Sequence, residues 1–132
     1  MKKISLDSII NQIKEKLTKD YDIVIAIGRG GILPGYLISR FVDIPMKIVY
    51  VDFRNDKHEQ KYENPKVKIN ADIKKIKDKK ILIVDDISNS GKTIKSVKKQ
   101  IPNNEITTVV IYGNADISLF GKHDECIEWP WQ

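Results

Sequence analysis

Cysteine is nearly absent from this chain of 132 residues: Cys126 stands alone, so no internal disulfide can form, and a lone thiol suits a reducing, cytoplasmic setting. Long apolar runs are missing too. No segment approaches the length needed to cross a bilayer, and the opening Met-Lys-Lys-Ile-Ser-Leu-Asp lacks a signal-peptide core because Asp7 interrupts it. There is also no arginine-rich tract, no zinc-finger spacing and no interleaving of aromatic with basic residues. The formal charge of +5 could attract nucleic acid, favour a polyanionic small substrate or simply solvate lysine-rich helices; the missing signatures argue against the first. No repeat or low-complexity linker divides the chain, so residues 1–132 are expected to form one domain.

What is present centres on residues 80–93, Lys-Ile-Leu-Ile-Val-Asp-Asp-Ile-Ser-Asn-Ser-Gly-Lys-Thr. The unbroken run Ile81-Leu82-Ile83-Val84 predicts a strand buried on both faces of a parallel sheet. Asp85 and Asp86 then end it; carboxylates are too costly to bury unpaired, so both are expected at the carboxyl edge, outside the core. Small residues follow, and a helix begins at Gly91-Lys92-Thr93. Such a site offers backbone N–H groups to an anion and carboxylates to hydroxyls or a metal. A Walker A loop is excluded, because the glycine it needs ahead of Gly91 is replaced by Asp86.

Around this centre the pattern alternates helix and strand. Leu6, Ile9, Ile10, Ile13 and Leu17 recur at helical spacing, which predicts a first helix over 5–19. A strand is expected over 21–27, then the loop Gly28-Arg29-Gly30-Gly31, then a helix over 32–42 with Pro34 in its first turn. That loop makes a second anion-binding turn, and its glycine spacing misses the dinucleotide fingerprint. Strands are expected at 46–51 and 107–112, and a short one at 67–69. Residues 52–66, including His58, carry little to bury and are expected to be mobile. Asp72 is expected to cap a short helix through Lys77, and the helix after Thr93 to reach Gln100 before Pro102 stops it. Pro130 argues against regular structure in the tail, where Trp129 and Trp131 read better as an apolar wall for a base or a partner subunit than as a core strand. The sum is an α/β fold: a mainly parallel twisted sheet with helices on both faces.

Residues 81–93 resemble the phosphoribosyl-pyrophosphate signature of type I phosphoribosyltransferases: aliphatics, two acids, a small-residue loop, then Gly-Lys-Thr. Gly28 to Gly31 is similar to that family's pyrophosphate loop, and the ending Ile127-Glu128-Trp129-Pro130-Trp131 is similar to that of the xanthine-guanine members. The resemblance implies a minimal-hood fold of that type, Mg²⁺, and a purine base, a 6-oxopurine, as acceptor for the phosphoribosyl group. It implies that Asp85 and Asp86 hold the ribose hydroxyls, directly or through the metal, and that Ser88, Ser90, Gly91, Lys92 and Thr93 wrap the 5′-phosphate. Arg29, Gly30 and Gly31 would receive pyrophosphate, a loop within 52–66 would close over the site, and the subunits would pair as a homodimer. On the base side, Asn89 stands where the purine enzymes place an aspartate, Asn114 where they place a lysine, and Cys126 where the xanthine-guanine enzyme has a tryptophan. Asn89 can hold a base but cannot take up its proton; Asn114 could meet an oxo or amino group, and the backbone near Ile127 could read the far edge. A second reading keeps the sugar-phosphate site but assigns it a regulatory role or another nucleobase.

Overall fold

The computed structural model describes residues 2–52, 66–122 and 126–132. In chain order its elements are β1 (Lys2–Lys3), α1 (Leu6–Lys16), β2 (Ile23–Gly28), α2 (Ile32–Val42), β3 (Met46–Asp52), β4 (Lys66–Lys68), α3 (Ala71–Lys74), β5 (Lys80–Ser88), α4 (Lys92–Lys98), β6 (Glu105–Gly113), β7 (Ile117–Ser118) and β8 (Ile127–Glu128). The main sheet has the order β4-β3-β2-β5-β6-β7. All neighbours in it are parallel except β3 and β4.

The aliphatic strands lie at the centre because both their faces are covered, as their continuous apolar runs require. Along β5, Leu82 and Val84 join a core with Ile9, Ile13 and Leu17 and with Ile38 and Val42 of α2. Ile81 and Ile83 point the other way, into a second core with Ile73 of α3, Ile94 and Val97 of α4, and Ile101. Helices therefore flank the sheet on both sides, α1 and α2 on one and α3 and α4 on the other. Among the described residues no helix is long and apolar enough to cross a membrane.

Several local expectations change. The first helix is shorter than 5–19: Ser5 caps it by accepting from the Ser8 amide at 3.1 Å, and Leu17 is already extended, its side chain drawn into the core. The short helix has Asn70 rather than Asp72 at its N-cap position, with no side-chain capping hydrogen bond, and ends at Lys74; Asp72 sits in its first turn and pairs with Lys47 at 3.7 Å. The acids do not end β5, which continues to Ser88 because β6 keeps pairing with it, Asp85 opposite Val110 and Ser88 opposite Gly113. The tail is regular where irregularity was expected, since Ile127 and Glu128 pair with Lys2 and Lys3 in a parallel two-stranded sheet. Trp129 is 9% exposed and belongs to the first core, with its ring 6.4 Å from that of Tyr112. Of the segment expected to be mobile, Asp52 closes β3 and Lys66 opens β4; positions 53–65, His58 among them, lie outside the described residues.

The strand order determines where a ligand can sit. From β2 the chain moves to β3 on one side, and from β5 it moves to β6 on the other, so the order reverses between two adjacent parallel strands. Crevices in open α/β sheets form at the carboxyl ends of such a pair.

Candidate active site

β2 and β5 stay paired only as far as Ala26 and Val84. Past that point the side of β5 that faced β2 is released, and the loop leaving β2 fills the gap. A Cβ on Gly30 would overlap the carboxylate of Asp86, and one on Gly31 would overlap the Val84 carbonyl and meet the Asp85 Cα at 3.0 Å. Only residues without side chains let the loop backbone approach the two acids this closely. The glycine loop and the acidic pair, far apart in sequence, thus meet at the carboxyl ends of β2 and β5, where the crevice of such a sheet opens. Arg29, within the glycine loop, is exposed and follows a cis Gly28–Arg29 peptide bond.

The two acids differ in environment. Asp85 is buried, against the expectation that it stands outside the core; it accepts a hydrogen bond from the Asp86 amide at 2.9 Å. Burial, and next the charge of Asp86, push its carboxyl up to about 8. A carboxyl that holds its proton avoids the cost that the sequence argument assigned to a buried charge. Asp86 is half-buried, accepts from the Ile87 amide at 2.7 Å and faces Gly30.

Beyond the acids, Ser88 and Asn89 separate from the turn that follows them. Ser88 is buried at the end of β5 and, with Asn89, Gly113, Asn114 and Lys122, lines a cavity of about 160 Å³. The Asn114 amide side chain donates to the Asn89 carbonyl at 2.8 Å. Ser90, Gly91, Lys92 and Thr93 form the turn into α4; Gly91 adopts φ 79°, and a side chain there would project into open space. The Ser90 hydroxyl oxygen accepts from the Lys92 amide at 3.3 Å. Gly31 is committed to the fold, its amide donating to the Ile27 carbonyl at 2.8 Å.

Arg29, Gly30, Asp85 and Asp86 are therefore brought together, and Ser88, Asn89 and Asn114 adjoin them. The Ile127 side chain belongs to the first core and is not among those lining the cavity. Two side chains at the crevice escaped the sequence reading. The half-exposed ring of Tyr50 lies against Gly28, within 2.8 Å of where a Cβ would be, and the register of β2 with β3 sets them opposite one another. Its place at the carboxyl end of a strand was the available signal. Lys122 reaches the cavity from the turn after β7, and nothing in its sequence surroundings marks it.

Comparison with known proteins agrees with this arrangement. The phosphoribosyl transferase domain family matches residues 2–121. A xanthine-guanine phosphoribosyltransferase of Roseobacter denitrificans is 32% identical over 118 residues, covering 82% of this chain and 66% of that protein, slightly under two thirds of its length. One from Idiomarina loihiensis is 27% identical, covering 86% of this chain and 72% of its own. The crystal structure of a purine phosphoribosyltransferase from Pyrococcus horikoshii superposes with a TM-score of 0.80 at 27% identity, covering 98% of this chain and 93% of that one. With its glycine loop and acidic pair meeting at the switch point of the sheet, and with that match running through nearly all its elements, the chain belongs to the phosphoribosyl transferase domain family.

Proposed function

We propose that the protein transfers the 5-phosphoribosyl group from phosphoribosyl pyrophosphate to a purine base, a 6-oxopurine, giving a nucleoside monophosphate and pyrophosphate. The observation that carries this reading is the close approach of Gly30 to the Asp86 carboxylate, which sets a glycine-rich loop suited to an anion beside an acid suited to hydroxyls. Asp85 and Asp86 orient the ribose hydroxyls and stabilise positive charge on the sugar as the bond from C1 to the pyrophosphate oxygen breaks, its electron pair leaving with pyrophosphate. Arg29 and the Gly30 amide receive that anion; Gly31, its amide committed, shapes the loop instead. Ser90, Gly91, Lys92 and Thr93 hold the 5′-phosphate through backbone N–H groups and the Ser90 and Thr93 hydroxyls. Ser88, buried on the cavity side, supports the base rather than the phosphate.

The ring nitrogen of the base attacks C1 with its lone pair. Asn89 holds the base without taking up its proton, so the base enters in the reactive tautomer or already deprotonated, and any proton goes to solvent. The donor set suits Mg²⁺: two adjacent carboxyl groups match an ion held by one or two acids plus substrate phosphates, and Asp85, protonated in the ligand-free protein, would give up its proton to take part. Asp85 and Asp86 would hold it, and when bound it would supply positive charge toward the departing pyrophosphate.

The test is base-dependent release of pyrophosphate, measured over a panel of purines and pyrimidines with phosphoribosyl pyrophosphate and Mg²⁺. Replacing both acids, Asp85→Asn with Asp86→Asn, is expected to lower kcat/KM by about 100-fold or more with the fold retained. Full activity in that variant, or faster turnover of uracil or orotate than of any purine, would overturn the assignment. The substitution at Asn89 motivates the second reading, a regulatory protein of the same fold, and tight sugar-phosphate binding with no base-dependent release would favour it.

A further inference from the structure

Cations are unevenly spread over this molecule. Residues 71–77 and 92–99 hold seven lysines against one acid, Asp72, a net +6 where the whole chain carries +5, so the remainder of the chain is net −1. Asp72 is itself taken by Lys47 at 3.7 Å. Both segments cover the same face of the sheet, because Ile73 of α3 and Ile94 and Val97 of α4 are buried in one core. On α3 and its end Lys74, Lys75 and Lys77 are exposed, and on α4 and its end Lys92, Lys95, Lys98 and Lys99. Asn104 ties the two helix ends together, its side-chain amide donating to the Ile76 carbonyl at 2.9 Å and to the Ile101 carbonyl at 3.2 Å. Lys74, Lys75, Lys77, Lys98 and Lys99 therefore converge, and among the described residues no carboxylate pairs with any of them. Two ordinary roles do not account for them. One cation per helix end offsets the macrodipole of helices of four and seven residues. Nor do they serve the crevice: Lys98 and Lys99 lie about 9–10 Å beyond Lys92 along α4, a Debye length at physiological salt.

We propose that this α3–α4 face binds the phosphate backbone of duplex DNA without reading its bases. The inference goes beyond phosphoribosyl transfer and does not depend on it. Ammonium groups only donate, and a phosphodiester backbone offers them a continuous line of charged acceptors. Among the described residues the exposed large apolar side chains are Leu6, Tyr36 and Tyr50, none of them on this face. It therefore holds neither rings to stack on unpaired bases nor an apolar group to enter a bilayer. Duplex DNA needs neither, since its bases are stacked inside and its phosphates point outward. Duplex RNA adds 2′-hydroxyls, which suit side chains that both donate and accept; the Ser96 hydroxyl of α4 is committed to the Thr93 carbonyl at 2.6 Å. The lack of arginine-rich and aromatic-basic signatures in the sequence excludes base reading and leaves this contact open.

The experiment is fluorescence anisotropy of a labelled DNA duplex of about 20 base pairs, titrated with the full chain at roughly 50 to 200 mM KCl. With about five phosphates engaged, affinity should fall with a log–log slope of about −4.5, and duplexes of unrelated sequence should bind within about twofold of one another. Lys98→Gln with Lys99→Gln, and separately Lys74→Gln with Lys75→Gln, should each weaken binding by about tenfold or more and flatten the slope by about 2. Neither pair should alter the thermal midpoint or base-dependent pyrophosphate release. Lys14→Gln with Arg40→Gln removes the same charge from α1 and α2 and should change affinity by less than about twofold. Equal loss in that control, or no loss in either lysine pair, would overturn the surface. Displacement of the DNA by saturating phosphoribosyl pyrophosphate with Mg²⁺ would overturn it too, placing the polyanion in the crevice. A duplex RNA of the same length, or phosphatidylserine vesicles, bound more tightly than the DNA would overturn the choice of partner. DNA binding as expected in a protein without base-dependent pyrophosphate release would overturn the transfer reading alone.

Discussion

At the scale of single residues, the crevice depends on what is missing from position 30. A methyl group there would lie on the Asp86 carboxylate, the end of a side chain that is itself held by the Ile87 amide at 2.7 Å. Gly30→Ala is therefore expected to displace the loop or the acid and to weaken phosphoribosyl pyrophosphate binding by about tenfold or more, with a smaller loss of stability. Titration calorimetry with a parallel thermal melt checks this, and unchanged affinity would count against the shared crevice. Asp85 gives a second prediction. Its carboxyl is raised from an ordinary 3.8 to about 8, first by burial and then by the charge of Asp86. Between those values the folded, ligand-free protein holds a proton that the unfolded chain does not. Stability from this group is fully present below about pH 4, falls as pH rises and is gone above about pH 8. Urea midpoints across that range should show the decline, and Asp85→Asn should flatten it; an equal slope in the variant would refute the cause.

At the scale of elements, the tail shows how a local rule loses to packing. Pro130 does break the chain, but only after Ile127 and Glu128 have paired with Lys2 and Lys3. That pairing carries Trp129 into the core, with the ring of Trp131 stacked 5.1 Å outside it. Trp129→Ala is thus expected to cost about 3–5 kcal/mol, the range for deleting a buried aromatic, and Trp131→Ala distinctly less. Urea unfolding of the two variants decides between a core residue and a wall, since a wall would give losses of similar size. The strand β5 teaches the same lesson in reverse. Its aliphatic half was legible as doubly buried, yet its length was not, because β6 continues to pair past the acids.

At the scale of the whole molecule, one prediction concerns assembly. Tyr36 and Tyr50 are 49% and 48% exposed, large apolar rings left at the surface of α2 and of the crevice. They support the proposal of a homodimer. Light scattering at micromolar concentration should give twice 15.2 kDa, and a species of 15.2 kDa alone would reject it.

The sequence by itself determined the α/β class, the doubly buried strands and the two loops that matter, because apolar periodicity and turn chemistry are local and each strand carries its own. Glycines at 28, 30 and 31 and acids at 85 and 86 were visible as candidates for the same reason. Only the tertiary structure decided which of them meet. The strand order sets Gly30 on Asp86, buries Asp85 deeply enough to raise its carboxyl, turns the Asn114 amide toward Asn89, and brings Lys122 from a distant turn to the cavity. It also buried the side chains of Ile127 and Trp129 in the first core. These are contacts between segments far apart in the chain, set by which strands pair and in what register, and neither propensity nor spacing encodes them.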